Sequence, residues 1–160
     1  MMLDATNIID YTYDSFREGI DSIASQVQAS NFLPHYIVGI VRGGAVPGVY
    51  LSHKLKIPVV MVSWNTRDNT EIGNESNSWI PEDICDGKRV LLIDDIVDGG
   101  DTIKELLADW GTSVHDDLNM NNLRIAAMWY NITQDINVDF YHKTIDRDVD
   151  QRWVIFPWEA

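Results

Sequence analysis

An α/β fold, with a mostly parallel central sheet flanked by helices, is predicted by three features of this chain. The runs Tyr36-Ile-Val-Gly-Ile-Val41, Ile57-Pro-Val-Val-Met-Val-Ser63, Val90-Leu-Leu-Ile93 and Leu123-Arg-Ile-Ala-Ala-Met-Trp-Tyr130 are short and largely apolar, as strands covered on both faces require. Glycine pairs follow two of them, at Gly43-Gly44 and Gly99-Gly100. Helical spacing of apolar residues then resumes after each glycine turn. At 160 residues the chain is read as one domain, 1–160, long enough for a single core. Its 45% hydrophobic and 23% charged residues match a globular protein rather than a disordered one.

Composition narrows the function classes. The formal charge of -13 and the pI of about 4.4 provide no basic footprint for nucleic acid. No apolar run reaches the roughly 18 residues of a membrane-spanning helix. Met1 to Ser15 has neither a basic residue nor a long apolar run, so no secretory signal is expected. Cys85 is the only cysteine, which excludes an intrachain disulfide and suits a reducing, cytoplasmic setting. The expected partners are small molecules.

Taken in order, Tyr13, Phe16, Ile20, Ile23, Ala24 and Val27 fall at helical spacing, with Thr12 as N-cap. The strand Tyr36–Val41 runs into Arg42-Gly43-Gly44, followed by a helix over Ala45–Leu51. A cation and two glycines at a strand end offer charge and backbone N–H groups to an anion. After Ile57–Ser63 the pattern dissolves into polar residues from about 64 to 88, a length that marks a functional loop or disorder. Leu123–Tyr130 and Val138–Tyr141 are further strands, and the aromatic-rich stretch Arg152–Glu159 closes the chain. The four histidines share no metal-like spacing, and Asp116-Asp117 reads as solvated loop.

The densest chemistry lies between Arg89 and Leu107. A buried strand ends in Asp94 and Asp95, and Asp98-Gly99-Gly100-Asp101 can turn sharply because glycine permits backbone angles other residues avoid. Thr102-Ile-Lys-Glu105 then matches a capping box, with Ile103, Leu106 and Leu107 on one helix face. Backbone N–H groups at such a turn and helix N-terminus suit a phosphate. The carboxylates suit sugar hydroxyls or a divalent metal. An ordinary crossover with an acidic loop, a Walker-B strand or a receiver-domain acid pair would look similar. Yet no Gly-x-x-x-x-Gly-Lys-Ser/Thr accompanies this one, and a receiver would carry its acids near the first strand.

This stretch resembles the signature of the type I phosphoribosyltransferases. Ile40-Val-Arg-Gly-Gly-Ala-Val-Pro-Gly48 resembles the pyrophosphate loop of the same family, in its xanthine-guanine (6-oxopurine) branch. The resemblance implies the type I phosphoribosyltransferase fold with a flexible hood loop over about 64–88. It also implies transfer of a phosphoribosyl group from phosphoribosyl pyrophosphate (PRPP) to a purine base in salvage. Asp94 and Asp95 would hold the ribose hydroxyls, partly through Mg2+, and Asp98, Gly99, Gly100, Asp101 and Thr102 would wrap the 5′-phosphate. Arg42, Gly43 and Gly44 would bind pyrophosphate, with the peptide after the arginine often cis. Asp98 would assist proton transfer at the purine. In the C-terminal segment, about 145–160, Trp153 would stack on the base and Val154 would contact it through its main chain. Arg67, the only cation of the hood before Lys88, would reach pyrophosphate on closure. A homo-oligomer, dimer or tetramer, is common in the family.

Two departures stand out. The usual loop reads Thr-Gly-Gly-Thr, whereas here Gly99 removes a hydroxyl and Asp101 adds a carboxylate beside the expected phosphate. The lysine that donates to the purine 6-oxo group in the 6-oxopurine enzymes is absent. Tyr130 aligns with it, with Asn131 next, and either side chain can donate a hydrogen bond without charge. Transfer to another base, such as a pyrimidine, and a non-catalytic PRPP-sensing regulator of the same fold are the alternatives.

Overall fold

The computed structural model describes residues 5–65 and 74–159. Five strands form one sheet in which all pairings are parallel: β2 (Tyr36–Val41), β3 (Val59–Ser63), β4 (Val90–Val97), β5 (Leu123–Asn131) and β6 (Phe140–Ile145). Their order across the sheet is β3-β2-β4-β5-β6. A separate parallel pair joins β1 (Ile8–Asp10) to β7 (Trp153–Ile155), with Ile9 opposite Val154. The expected α/β architecture, a mostly parallel sheet flanked by helices, is thus observed.

Side chains alternate across a strand, so a sheet buried on both faces needs apolar residues at consecutive positions. On β4, Leu91 and Ile93 join the core shared with α1 (Tyr13–Ala29) and α2 (Ala45–Leu55), through Phe16, Ile20, Ile23 and Leu51. Val90 and Leu92 join the opposite core, built with Ile80 and Ile84 of α3 (Trp79–Cys85) and Ile103, Leu106 and Trp110 of α4 (Asp101–Ser113). Thr12 caps α1 as expected, its Oγ1 accepting from the Ser15 N–H at 3.1 Å.

Several boundaries differ from expectation. The capping box at Thr102–Glu105 does not form, because Gly100 already holds the N-cap position at φ 81° and α4 starts at Asp101. Glu105 instead accepts from Trp64 Nε1 at 3.3 Å. Helix α2 continues to Leu55, and β6 occupies Phe140–Ile145 rather than ending at Tyr141. The polar stretch after Trp64 contains α3, held by buried Ile80 and Ile84. Just before α3 the chain is tied back: Ser63 and Glu75 exchange backbone hydrogen bonds, and Trp110 Nε1 donates to the Ser76 carbonyl at 2.9 Å. Arg67 lies outside the described residues. Among the described residues no helix is long and apolar enough to cross a membrane.

Trp110 is fully buried and joins the α4 core to this returning segment. Its replacement by alanine removes both the packing and the indole donor. We expect Trp110→Ala to destabilise the protein by about 3–5 kcal/mol, read as a lower urea midpoint at unchanged slope.

Candidate active site

The connection from β2 to β3 runs to one side of the sheet and that from β3 to β4 crosses back, so the strand order reverses between β2 and β4. Ligands of open α/β sheets bind outside the carboxyl ends of the strands at such a reversal. A cleft of about 1110 Å³ lies there. Its walls bring together Arg42 and Gly43 after β2, Asp94 to Thr102 through β4 into α4, and Trp153, Val154, Trp158 and Glu159 at the C-terminal end.

The β2 turn is shaped by close approach. A Cβ on Gly43 would fall 2.6 Å from Asp95 Oδ1. One on Gly44 would fall 2.7 Å from both N and O of Ile40, which are backbone atoms and cannot swing away. Gly44 N–H donates to Ile40 O at 2.7 Å and closes the turn. The non-proline cis peptide is Val41–Arg42, before the arginine rather than after it.

Asp94 and Asp95 lie within β4, which continues past them through Ile96 and Val97 rather than ending at the acid pair as the sequence suggests. Asp94 Oδ1 accepts from the Asp95 N–H at 2.9 Å, and Asp95 Oδ1 from the Ile96 N–H at 2.6 Å. Burial pushes the Asp94 carboxyl well above the usual carboxylate range, and the neighbouring Asp95 charge adds to it. Burial also raises Asp95; the Ile96 N–H opposes this and the charge of Glu159 reinforces it. Gly99, Gly100, Asp101 and Thr102 follow as the turn and first residues of α4. The first N–H groups of a helix have no partner within it, so this end can receive an anion. Asp101 is exposed and lines the same cleft, bringing a carboxylate to the N-terminus of α4.

Asp98 is held from two sides. Arg147 Nε donates to Oδ1 at 3.0 Å and Nη2 to Oδ2 at 2.9 Å, a bidentate ion pair. Asn131, the one buried polar residue among those described, donates from Nδ2 to the Asp98 carbonyl at 3.1 Å. Arg147 Nη1 donates to the Arg152 carbonyl at 2.5 Å, immediately before Trp153. Trp153 is 44% exposed and Val154 is buried.

The structure does not bring Tyr130 to the cleft. Its hydroxyl donates to the Ile136 carbonyl at 2.7 Å, its ring lies 5.4 Å from that of Tyr141, and it packs against the core on the α4 side. Arg147 lines the cleft instead, from the segment after β6. Sequence reasoning passed over it because a cation between Asp146 and Asp148 reads as surface. Asn131, the other expected donor to the base, instead has its amide engaged by the Asp98 carbonyl. Glu159 was not singled out at all.

Five carboxylates, of Asp94, Asp95, Asp98, Asp101 and Glu159, face two guanidinium groups, of Arg42 and Arg147. The oxygen-only donor set at Asp94 and Asp95 suits a hard cation such as Mg2+. Among the described residues no cluster of three or more potential ligands forms a cage.

A parallel α/β sheet here carries an acid pair and a glycine-led helix N-terminus at its topological switch point, an arrangement suited to hydroxyls or a cation on one side and an anion on the other. The phosphoribosyl transferase domain pattern matches residues 12–160, and the chain belongs to the phosphoribosyltransferase family. It is 27% identical over 129 residues to xanthine-guanine phosphoribosyltransferase of Cereibacter sphaeroides, covering 77% of this chain and 68% of the relative. It is 26% identical over 113 residues to adenine phosphoribosyltransferase of Rippkaea orientalis, covering 65% of each. The crystal structure of a purine phosphoribosyltransferase from Pyrococcus horikoshii superposes with a TM-score of 0.69 at 24% identity, over 96% of this chain and 95% of that one.

The raised Asp94 carboxyl has a consequence for stability. The folded protein binds this proton more tightly than the unfolded chain, so the contribution of Asp94 to stability declines as pH rises from about 4 through the raised value. Asparagine keeps the oxygen that accepts from Asp95 and removes the charge. Asp94→Asn therefore raises the melting temperature of the ligand-free protein by a few degrees at neutral pH, with the gain shrinking towards pH 4. Scanning calorimetry at pH 7 and pH 5 checks this, and a lower melting temperature at pH 7 contradicts it.

Proposed function

We propose that the protein transfers the 5-phosphoribosyl group of PRPP to a 6-oxopurine base (xanthine, guanine or hypoxanthine), yielding the nucleoside monophosphate and pyrophosphate. The observation that carries this reading is the acid pair near the carboxyl end of β4, followed by Asp98-Gly99-Gly100 and the N-terminus of α4, with Trp153 lining the same cleft. Similarity to the Cereibacter enzyme supports the 6-oxopurine assignment.

In this reading a ring nitrogen of the base forms a bond to the anomeric carbon as the bond to pyrophosphate breaks, and the pyrophosphate leaves with the electron pair. Holding the two reactants in line supplies much of the rate. Asp94 and Asp95 accept from the ribose hydroxyls. Gly99, Gly100, Asp101 and Thr102 bind the 5′-phosphate through backbone N–H groups, and Thr102 adds its hydroxyl. Arg42 with the backbone of Gly43 and Gly44 takes the pyrophosphate. Asp98 accepts the proton of the other imidazole nitrogen as positive charge develops on the base. Trp153 supplies a flat apolar wall for the heterocycle, and Val154 contacts it through its main chain. Asp94 and Asp95 would hold Mg2+, which when bound neutralises the charge between these carboxylates and the substrate phosphates. Arg67 would approach the pyrophosphate from the hood. The setting is cytoplasmic salvage, as a homo-oligomer.

A second reading, transfer to adenine, is favoured by similarity to the Rippkaea enzyme and by the absence of the base-binding lysine. The test is pyrophosphate release from PRPP and Mg2+ with guanine, xanthine, hypoxanthine, adenine and uracil offered separately. We expect release with one or more 6-oxopurines, lowered roughly 10²- to 10⁴-fold by Asp98→Asn. Release with adenine or uracil alone rejects the substrate, and PRPP binding with no release for any base supports a regulator. Removing the carboxylate beside the 5′-phosphate lessens repulsion by roughly 1 kcal/mol, so Asp101→Gly is expected to lower the KM for PRPP about fivefold.

A further inference from the structure

We infer that the Asp98–Arg147 ion pair is a single recognition edge for the base, in which Arg147 selects an oxo over an amino substituent beside a ring N–H. This rests on the base-transfer reading above and names the residue that sets its specificity.

A guanidinium carries five N–H donors. Arg147 directs Nε–H to Asp98 Oδ1, one Nη2–H to Asp98 Oδ2, and its Nη1 to the carbonyls of Arg152 and Asp150. The second Nη2–H has no hydrogen-bond partner among the described residues. Among the described residues Asp98 Oδ2 accepts only from Arg147, so one of its lone pairs is also open. Donor and acceptor thus stand side by side, with their heavy atoms 2.9 Å apart.

A 6-oxopurine protonated at N7 offers the complement, an N–H next to a carbonyl oxygen. N7 and O6 of guanine are near enough for one side chain to engage both. Here the N7–H would donate to Asp98 Oδ2 and O6 would accept from Arg147 Nη2. Adenine presents an amino group in place of O6, so donor meets donor. A buried donor left without an acceptor is the kind of mismatch that discriminates strongly between substrates.

Placement and rigidity support this assignment. Among the described residues the cations lining the cleft are Arg42, in the turn after β2, and Arg147, on Asp98. The guanidinium is held by the Arg152 carbonyl as well as by Asp98, so the same group positions the edge and the peptide that precedes Trp153. Asn131 fixes the other side, donating to the Asp98 carbonyl and accepting from the Arg147 N–H at 3.4 Å. Arg147 is also largely buried, with 16% of its side chain exposed, so water competes weakly for its donors.

The test compares hypoxanthine with adenine, which differ at ring position 6, for wild type, Arg147→Gln and Arg147→Lys. Circular dichroism and calorimetric binding of PRPP verify each variant. The wild type is expected to favour hypoxanthine, and Arg147→Gln to lower the hypoxanthine-to-adenine ratio of kcat/KM at least tenfold while PRPP affinity stays within threefold. Lysine keeps the charge without the fork and is expected to lower the ratio less; should the glutamine variant not fold, the lysine variant carries the comparison. Equal losses for both bases, leaving the ratio unchanged, would overturn the inference and leave Arg147 as a positioning residue for Asp98, with the 6-oxopurine reading intact. A wild type that turns over adenine alone would overturn both.

Discussion

Burial of β4 on both faces is the constraint from which the rest of the molecule follows. Leu91 and Ile93 require one helical layer, and Val90 and Leu92 require another. Its two edges require neighbours, which β2 and β5 supply in parallel register. Towards its carboxyl end, where the cleft opens, the strand places Asp94 and Asp95 before it finishes at Val97. The apolar core therefore delivers two carboxylates to the floor of a cleft. The same burial makes their ionised forms unfavourable until a ligand or a cation offsets the charge.

Charge in the cleft is divided unevenly. One end combines Arg42, the close-approach glycines and the N-terminus of α4, all suited to anions. Asp94 and Asp95 make the cleft acidic, and Asp101 extends that acidity to the N-terminus of α4. Asp98 differs from its neighbours because Arg147 pairs with it in a forked geometry, which makes that corner close to neutral and rich in directional hydrogen bonds. A neutral corner beside Trp153 suits an uncharged heterocycle, and the acidic floor suits hydroxyls and a cation. In the proposed reaction, separation of these environments would let one cleft receive a polyphosphate and an aromatic base together.

Local patterns were read well where a short segment controls its own conformation. The strands Tyr36–Val41 and Leu123–Asn131 follow from runs of buried aliphatic residues, and Thr12 caps α1 through a contact three residues away. The capping box at Thr102–Glu105 failed for a local reason too: glycine at position 100 adopts the left-handed angle that starts the helix earlier. Helix α3 escaped notice because Ile80 and Ile84 bury against a helix that lies later in the chain. The β1–β7 pair joins residues near opposite ends, and neither three-residue strand has a periodicity of its own.

The sequence by itself determined the α/β class, the buried strand that carries the acid pair, and both glycine turns, though not that this strand runs on to Val97. Each depends on residues close together in the chain, whose allowed backbone angles and apolar alternation are local properties. Tertiary structure alone decided which side chains share the base end of the cleft. Arg147 meets Asp98 across 49 positions, and Tyr130 turns to the Ile136 carbonyl instead. That choice depends on strand order and on where β6 ends, and neither is encoded in the pattern around either residue.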